Sequence, residues 1–338
     1  MDDVATRAGV SRALVSLVMR DSPKVSDTSR AKVLAAAADL GYRPNLMARN
    51  LASRRTMTVG VLLDDLHNPF YAEIADGLLD AALDHGYRLL FTVGLRRPPI
   101  QERAIETLLE LHTDGVVIVS PRLGRAQLDR IGTAVPLVVV TEPVRTKVFD
   151  TVNNDETKGC AMVVDHLVSL GHRDIWHIDG GNGAGARARR RGYERAMAAH
   201  GLSDRAKVFG GEFTDAAGYE AASKLLAASR RPTAIFAGND LIASGTIDRL
   251  LDCGLDVPGD VSVVGYDNTA LAAMRRVALT TVDQPRFDMG RLAFTCLLGR
   301  IEGTRTAAVR HVLPGELVVR RSTGPPRRDA RRALAATR

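Results

Sequence analysis

The segment DVATRAGVSRALVSLVM, residues 3–19, decides how the chain begins to fold. Val4 and Ala8 lie one helical turn apart, and Gly9 follows where a tight turn needs positive φ. Ser11 then offers an oxygen that accepts hydrogen bonds from the free N–H groups of a second helix. Two short helices joined by a glycine turn make a helix-turn-helix motif.

The second helix, which follows Ser11, has an inward and an outward face. Val15, Val18 and Met19 face inward, because they recur at helical spacing. In a DNA-binding helix-turn-helix the outward face enters the major groove, where side chains reach base edges and phosphates. The segment therefore predicts a set of DNA-contacting residues that comprises Ser11, Arg12, Ala13, Ser16, Leu17 and Arg20.

A third helix completes this N-terminal unit. It begins near SDTSR, residues 26–30, with Ser26 or Asp27 as its cap. Pro44 follows its end, which gives an all-α unit over residues 1–44. A helical bundle of another function would show the same pattern, so the pattern alone leaves DNA binding open. The apolar residues expected to be buried are Val33, Leu34, Ala37 and Leu40.

The net charge of the 338-residue chain is +7, and it is divided unevenly. Residues 1–55 carry a net charge of +5 and residues 320–338 a net charge of +6, whereas the residues between them carry −4. Phosphate contacts need local positive charge, so a basic N-terminal segment on a mildly acidic body favours nucleic-acid binding by that segment. A generally soluble surface is the alternative explanation.

The cysteine spacing and the hydropathy argue against a zinc-binding, redox, membrane or secreted protein. Cys160, Cys253 and Cys296 lie far apart and lack the spacing of a zinc or redox motif. No apolar run approaches the roughly 18 residues that span a bilayer, and the start MDDVATRAGVS lacks the apolar core of a signal peptide. We therefore expect a cytoplasmic protein with no membrane association, no metal and no cofactor.

Beyond residue 57 the sequence changes to short apolar runs that alternate with amphipathic stretches rich in Ala and Leu. Such alternation is typical of parallel sheets covered by helices on both faces, so we expect an α/β region. About ten strands in this region suit two sheets better than one. The clearest strand candidates are TVGVLLD (58–64), DGVVIVS (114–120), PLVVV (136–140), TAIFAG (233–238) and DVSVVGYD (260–267).

Several of these segments together resemble a known family. DVATRAGVSRALVS and the following KVS..SR.KVL.AAADLGYRPN.MAR.LAS resemble the headpiece and hinge of the LacI/GalR family of bacterial transcription regulators. The resemblance implies a small all-α helix-turn-helix headpiece and a two-lobed, periplasmic-binding-protein-like effector domain in a homodimer. Further matching segments, in the family's order, are VGVLLDD.HNPFYAEI, HLVSLGHRDI, GGNGAGARARRRGYERAM, AIFAGNDLIASG, DVSVVGYDN and LTTVDQP.

The resemblance also implies domain boundaries. The last residues are basic and have little to bury, so we expect a disordered tail, and they lack the leucine heptad of a coiled-coil tetramer. The implied boundaries are 1–44 for the headpiece, 45–57 for the hinge helix and linker, 58–321 for the effector-binding and dimerisation domain (N-lobe about 58–154 and 286–313, C-lobe about 155–284 and 314–321) and 322–338 for the tail.

Residues 45–53 match the family's hinge helix. Asn45 begins it, Leu51 matches the leucine that wedges into the minor groove of the operator, and Ala48 lies close to the same base step. A helix this short is unstable alone, so we expect it to form only against a partner subunit and DNA. The inserted apolar side chain would kink the duplex and bring more protein surface onto it. An ordinary linker is the alternative.

The headpiece departs from the family pattern at two positions. Leu17 stands where a polar or basic residue that reads bases is usual, and Arg20 stands where Asn is common. The DNA half-site that this headpiece reads is therefore left open.

In this fold class a ligand binds where the carboxyl ends of strands from the two lobes face each other. Phe70 and Tyr71 follow the first strand as an aromatic pair, although a place in the core would also explain them. Arg189 matches the family arginine that holds the effector, and its fork of donors suits paired hydroxyls or a carboxylate. Phe213 matches a position where the family offers a further aromatic platform.

Amides and carboxylates supply the other candidate ligand contacts. Asn239 and Asp240 resemble the family's effector-contacting pair, although either residue could instead cap the following helix. Asp267 and Gln284 match further positions that face the ligand. Arginine, carboxylates, amides and aromatic rings together are typical of carbohydrate recognition, so we favour a sugar over a nucleobase as the effector.

Two other classes of protein share parts of this pattern. GNGAGA (181–186) fits the dinucleotide-binding fingerprint, but the next acidic residue after a strand, Glu212, comes late for a ribose contact. We therefore disfavour an NAD-dependent oxidoreductase, and expect His166 and His177 to be structural. A solute-binding protein shares the two-lobed fold but not the headpiece. We expect a non-enzymatic regulator, most simply a repressor that a sugar releases from a palindromic operator.

Overall fold

The computed structural model describes residues 1–19, 22–42 and 55–327 of the chain. They belong to two compact units, Met1–Thr56 and Met57–Arg338. Arg20, the hinge residues 45–53 and the tail beyond residue 327 lie outside the described residues.

The first unit contains the three expected helices, α1 (Asp2–Ala8), α2 (Arg12–Met19) and α3 (Asp27–Asp39). Gly9 ends α1 with φ 65°, the left-handed conformation that glycine adopts without strain. Ser11 Oγ accepts a hydrogen bond from the N–H of Leu14 at 3.2 Å, as expected of a cap. Ser26 caps α3 and accepts from the N–H of Ser29.

The core of this unit confirms Val15, Val18 and Val33 as buried residues. The prediction was wrong for Leu34 and Leu40, whose side chains are 51% and 48% exposed. The buried face of α3 is instead formed by Val33, Ala36 and Ala37, at i, i+3 and i+4. Leu34 lies off this face, and Leu40 stands at the C-cap, where the helix has already ended.

The second unit confirms the alternation of strands and helices. Its described helices are α4 (Phe70–Asp84), α5 (Pro98–Glu110), α6 (Arg125–Ala134), α7 (Glu156–Ser169), α8 (Ala186–Ala199), α9 (Asp215–Leu226), α10 (Asp240–Asp252), α11 (Ala270–Ala273) and α12 (Arg286–Ile301). Its described strands are β1 (Thr58–Leu63), β2 (Arg88–Val93), β3 (Gly115–Val119), β4 (Leu137–Val140), β5 (Asp150–Asn154), β6 (Ile175–Ile178), β7 (Lys207–Phe209), β8 (Ala234–Ala237), β9 (Ser262–Asp267), β10 (Thr280–Asp283), β11 (Arg310–Leu313) and β12 (Glu316–Val318).

The strands form two six-stranded sheets, with the orders β11-β5-β4-β3-β1-β2 and β12-β10-β9-β8-β6-β7. All pairs in the first sheet are parallel. The two sheets flanked by helices are confirmed, and in the second sheet the edge strand β12 pairs antiparallel with β10. The reversal occurs because only a short link, 314–315, joins β11 of the first sheet to β12 of the second. An antiparallel strand at the edge of a parallel sheet is a common variation.

The chain passes between the two sheets three times, after β5, after β10 and after β11. Helix α12, which follows the second passage, packs against α4 and against β3, β4 and β5 of the first sheet. We call the first sheet with its covering helices the first lobe, and the second sheet with its helices the second lobe.

Each sheet buries both of its faces, which explains why the strand sequences are almost continuously apolar. In the first lobe, Val117 and Val138 face one apolar cluster with Phe294 of α12, and Val116 and Ile118 face another. The second lobe repeats this arrangement with two more clusters. No described helix is both long and apolar enough to cross a membrane.

The folded second lobe extends beyond residue 321. Ser322 is 2% exposed, and its hydroxyl donates to Val263 O and accepts from Thr280 N. The carbonyl of Gly324 lies 2.8 Å from His172 Nε2. The ordered backbone therefore continues to at least Gly324, three residues past the boundary that the sequence implied.

Helices α4 and α12 approach each other closely at two glycines. A Cβ atom on Gly77 would lie 2.0 Å from Phe287 O, and one on Gly290 would lie 2.2 Å from Ile74 O. Both contacts are with backbone atoms, which cannot move aside without shifting a helix. This crossing therefore requires glycine on both helices.

We expect Gly290→Ala to lower the free energy of unfolding by about 1–3 kcal/mol, because the added methyl group would push α12 away from α4. Gly299→Ala on the same helix is the control, since its Cβ would meet its nearest neighbours at 3.4 Å. That change should be neutral or stabilising by up to about 1 kcal/mol, because alanine favours helix. Urea denaturation checks both values, and equal midpoints for the two variants would contradict the close-packing argument.

Candidate ligand cleft and nucleic-acid interface

Polar residues that follow the carboxyl ends of strands from both lobes line a single cleft. The cleft holds about 530 Å³ of empty space, including the part that opens to solvent. Asp64 follows β1, Ser120 follows β3 and Thr141 follows β4 on one side, while Asn239 follows β8 and Gln284 follows β10 on the other. This is the position at which open α/β folds bind ligands.

The structure brings seven of the eight predicted ligand residues to this cleft. Asp240 is the exception and does not line it. The seven that do are Phe70, Tyr71, Arg189, Phe213, Asn239, Asp267 and Gln284.

Arg189 is only 5% exposed and is fully engaged by the second lobe. Its Nε and Nη2 donate to the two carboxylate oxygens of Glu156 at 2.9 and 2.8 Å, and Nη1 donates to the carbonyl of Gly238. The guanidinium lies over the ring of Tyr266, 3.7 Å from its centroid. Burial opposes its charge, but the adjacent Glu156 carboxylate more than compensates and raises the pKa of Arg189.

Asn239 has two roles at once. Its side-chain oxygen accepts from the N–H of Ile242 at 2.9 Å and so caps α10. Its side-chain nitrogen is buried and has no hydrogen-bond partner in the described part of the chain, and the residue lines the cleft. The amide therefore holds the helix with its oxygen and keeps an unused donor at its nitrogen.

Asp240 lies behind the cleft and supports the loops around it. Its carboxylate accepts from Thr281 Oγ1 at 2.7 Å and from both the N–H and the hydroxyl of Thr269, at 2.7 and 3.0 Å. Burial raises the pKa of Asp240 to about 6, despite these donors. Its oxygens are occupied within the fold and the residue does not line the cleft, which argues against the predicted ligand contact of Asp240.

Asp267 and Gln284 face the cleft as a hydrogen-bonded pair. Gln284 Nε2 donates to Asp267 Oδ1 at 2.6 Å. Burial raises the pKa of Asp267 to about 8, so its carboxyl group holds a proton well above its ordinary range. Asp267 also has φ 114°, a strained value for a non-glycine residue of the kind that concentrates at functional sites.

The aromatic pair serves both the core and the cleft. The Phe70 and Tyr71 rings pack edge to face, with centroids 5.4 Å apart, and both residues belong to the first lobe's apolar core. Both also line the cleft, so their place in the core is confirmed and a ligand contact stays a prediction. Burial raises the pKa of the Tyr71 hydroxyl, which therefore stays a neutral donor.

Sequence reasoning missed most of the first lobe's polar contribution. Asp64 accepts from Arg122 Nε at 3.0 Å and from Gln101 Nε2 at 2.8 Å, and both Asp64 and Arg122 line the cleft. Burial raises the pKa of Asp64, although Arg122 opposes the shift. The available signal was position, since Asp64 and Ser120 each follow directly after an apolar strand.

Several hydrogen bonds among the described residues join the lobes around the cleft. Arg96, which follows β2 and lies 3.7 Å from Asp65, donates across the cleft to Glu212 at 3.4 Å. Glu142 accepts from Gly185 N, also at 3.4 Å. Asn154 at the end of β5 donates to the hydroxyl of Tyr266 in β9 at 2.7 Å.

The glycine-rich loop at 180–185 has a local explanation. A Cβ on Gly180 or Gly183 would lie 2.2 or 2.6 Å from the ring of Phe213, so the glycines make room for that ring. His177, on the strand before the loop, is fully buried at 2.8 Å from Phe236 O, and burial lowers its pKa to about 4. No cluster of His, Cys, Asp or Glu among the described residues is arranged to hold a metal ion.

On the candidate DNA-contacting helix, α2, the predicted contact residues differ in exposure. Arg12 and Ala13 are exposed, whereas Ser16 and Leu17 are half-buried. Leu17 packs partly against the headpiece core, which limits how far its side chain reaches outward. Arg12 lies 3.6 Å from Asp2, and both side chains are exposed. Arg20, Asn45, Ala48 and Leu51 lie outside the described residues, so their proposed DNA contacts remain predictions.

The raised pKa of Asp267 predicts a pH dependence of stability. Between its ordinary value near 3.8 and about 8, the folded chain keeps this proton and the unfolded chain does not. The free energy of unfolding therefore falls through this residue as pH rises across that range. Asp267→Asn keeps the acceptor for Gln284 and removes the titration, so its stability relative to wild type should increase from pH 5 to 8 and level off above.

Chemical denaturation between pH 5 and 9 measures this difference. Asp204→Asn, an exposed position with no hydrogen bond in the described structure, is the control and should track the wild type. Parallel curves for Asp267→Asn and the wild type would show that Asp267 is not a buried, protonated acid.

Comparison with known proteins connects both units to one family. Residues 1–45 match the model of bacterial regulatory proteins of the lacI family, and residues 164–323 match that of the periplasmic binding protein-like domain. Over 325 residues the chain is 34% identical to catabolite control protein A of Priestia megaterium, covering 95% of this chain and 98% of that protein.

Solved structures of transcription regulators also resemble this chain. The lac repressor dimer bound to operator and the anti-inducer ONPF is 28% identical, with a TM-score of 0.86 over 95% of this chain and 98% of that one. The transcriptional regulator CelR in complex with cellobiose is 32% identical, with a TM-score of 0.72 and the same coverage. Regulators of this family are not enzymes; they bind DNA operators and small-molecule effectors, and they act as dimers. The chain, with its helix-turn-helix unit and two-lobed cleft, therefore belongs to the LacI family of bacterial transcription regulators.

Proposed function

We propose that this regulator is a cytoplasmic repressor that binds a palindromic operator as a homodimer and is released when a sugar occupies the cleft. The effector proposal rests on the pairing of the three described arginines that line the cleft. Each of them is already paired with a carboxylate: Arg189 with Glu156, Arg122 with Asp64 and Arg96 with Asp65.

A cleft whose cations are neutralised favours an uncharged ligand in its interior. The groups that remain are amide, carboxyl and hydroxyl groups, which hydrogen-bond well to arrays of sugar hydroxyls. Asn239 contributes an unpartnered donor, and Phe213 contributes a ring beside Arg189, at 5.6 Å from its guanidinium. The relative whose solved structure contains cellobiose supports a sugar, and a nucleobase is the alternative that a ligand panel tests.

Ligand binding is proposed to act on DNA through the position of the lobes. Arg96 and Glu212 form an ion pair across the cleft, so a ligand seated between them would change the preferred separation of the lobes. Such a change in a dimer alters the distance between the two hinge segments, where Asn45, Ala48 and Leu51 are proposed to contact the operator. Effector and operator affinities are then linked and change reciprocally.

An apolar surface on the first lobe supports a homodimer. Leu79 and Leu83 lie one turn apart on α4 with 42% and 66% of their surface exposed, and Phe91 on the edge strand β2 is 39% exposed. Exposed apolar residues on a helix and on the edge strand of the same lobe are consistent with an association surface. We place part of the contact between subunits here.

In the headpiece, Arg12→Ala should weaken operator binding by about tenfold or more if Arg12 contacts a base pair or phosphate from α2. The matched control is Arg103→Ala, which removes the same charge from the exposed face of α5 in the other unit. Fluorescence anisotropy at fixed salt, on operator and on random DNA, measures both. A loss no larger than that of the control would remove Arg12 from the DNA interface.

In the cleft, Asn239→Asp should keep the α10 cap, because the carboxylate still accepts from Ile242, but lose the free donor. We expect ligand affinity to fall by about tenfold or more, since a buried hydrogen bond is lost and a charge is added. Calorimetric titration measures the affinity, and thermal unfolding checks the fold. Unchanged affinity in a stably folded variant would contradict a ligand contact at Asn239.

A further inference from the structure

We propose that the ligand cleft continues into a second subsite that binds an anionic group, a phosphate or a carboxylate, through Arg187 and Arg191. This subsite lies in a groove between the lobes, here called the outer groove. It holds about 1390 Å³ of empty space, including the part open to solvent.

The outer groove is continuous with the ligand cleft. Arg122, Gly183 and Ala184 line both spaces, so a molecule that occupies the cleft can extend past them. One wall comes from the first lobe and includes Pro121 and Pro143. The opposite wall comes from the loop before α8 and the first two turns of that helix. The prolines offer no side-chain hydrogen bond, and the one cation of the first-lobe wall, Arg122, is already paired with Asp64. The cations free to bind a ligand therefore lie on the wall of the second lobe.

Arg187 and Arg191 are those cations. They lie one turn apart on α8 and therefore point to the same side of the helix. Neither makes a hydrogen bond or an ion pair with the residues that the structure describes. Their neighbour Arg190 is different, because it lies 3.2 Å from Glu194 and 3.7 Å from Asp179. The unpaired arginines thus face the groove, and the paired one lies outside its lining.

One carboxylate also faces the outer groove, and it does not neutralise both arginines. Glu142 accepts a hydrogen bond from Gly185 N and makes no ion pair in the described structure. Arg187 and Arg191 act on it only through their field. The net charge of these three side chains is positive, which favours an anion over the neutral ligand that suits the inner cleft.

The two spaces together describe one kind of effector, a neutral polyhydroxyl end in the inner cleft that carries an anionic group at its outer end. This description of the whole molecule rests on the proposed sugar effector. The anion subsite itself does not, because inorganic phosphate can test it without any sugar. The shared chemistry is a compact anion held by two guanidinium groups, which fits a phosphate ester or a sugar carboxylate.

Phosphorus NMR titration of the full-length protein with inorganic phosphate tests the subsite. We expect saturable binding that the Arg187→Ala, Arg191→Ala double variant weakens by about tenfold or more. Arg195→Ala is the matched control, because it removes an exposed arginine of the same helix that does not line the groove. Glu142→Gln should strengthen phosphate binding, since it removes the one opposing charge while keeping the acceptor for Gly185.

Phosphate that binds at the headpiece would be unaffected by the double variant, so the loss in that variant is the decisive readout. Failure of the wild type to bind phosphate, or equal binding by the wild type and the double variant, would overturn the subsite. Adding acetate to the phosphate-bound protein distinguishes the two anions, because displacement of phosphate would show that the subsite also accepts a carboxylate.

Glucose and glucose 6-phosphate then separate the two proposals. Loss of glucose 6-phosphate binding in the double variant, with glucose unaffected, supports the whole description. If the double variant abolishes phosphate binding but neither sugar binds the wild type, the subsite stands and the proposed sugar effector fails.

Discussion

The buried ion pair between Arg189 and Glu156 is the contact on which the second lobe's face of the cleft depends. It joins α8 to α7, and the same guanidinium holds the carbonyl of Gly238 and lies over the ring of Tyr266. Tyr266 in turn accepts a hydrogen bond from Asn154 of the first lobe. Removing one partner of a largely buried pair leaves an uncompensated charge, at a cost of up to about 3–5 kcal/mol. One cation therefore organises two helices, two strand ends and a contact between lobes.

This constraint also explains the chemical character of the cleft. Because Arg189, Arg122 and Arg96 are already bound to carboxylates, they order the loops and leave no free cation among the described residues that line the inner cleft. In the proposed mode of binding, ligand recognition is left to Asn239 and Asp267, which hydrogen-bond without a net ionic attraction. Unpaired positive charge occurs only farther out, on the groove-facing side of α8, among the described residues that line these two spaces.

Much of the fold was predictable because its signals are local. Gly9 and Ser11 identify the headpiece turn through the conformations and caps that glycine and serine favour, and apolar runs identify the strands. Leu34 and Leu40 were placed wrongly, since helical spacing alone does not say which stripe of α3 faces its neighbours. The antiparallel β12 was missed because its direction depends on a short link between the sheets.

The cleft was predictable in its second lobe and largely missed in its first. Resemblance to the family located Arg189, Asn239 and Asp267, but it could not tell that the neighbouring Asp240 is turned into the fold. Asp64 and Arg122 are 58 residues apart and meet only when the sheet is assembled. This pairing is a property of the folded chain. So is the lack of a carboxylate partner for Arg187 and Arg191 among the described residues.

In the proposed function, occupation of the cleft by a sugar weakens the binding of the headpiece to its operator. The most direct test is the affinity of the purified protein for the intergenic DNA upstream of its own gene, at fixed salt, with and without a panel of sugars and nucleobases. We expect tight binding to a palindrome, weakened by one sugar. Binding that stays unchanged by every sugar, or that never exceeds binding to random DNA, would contradict it.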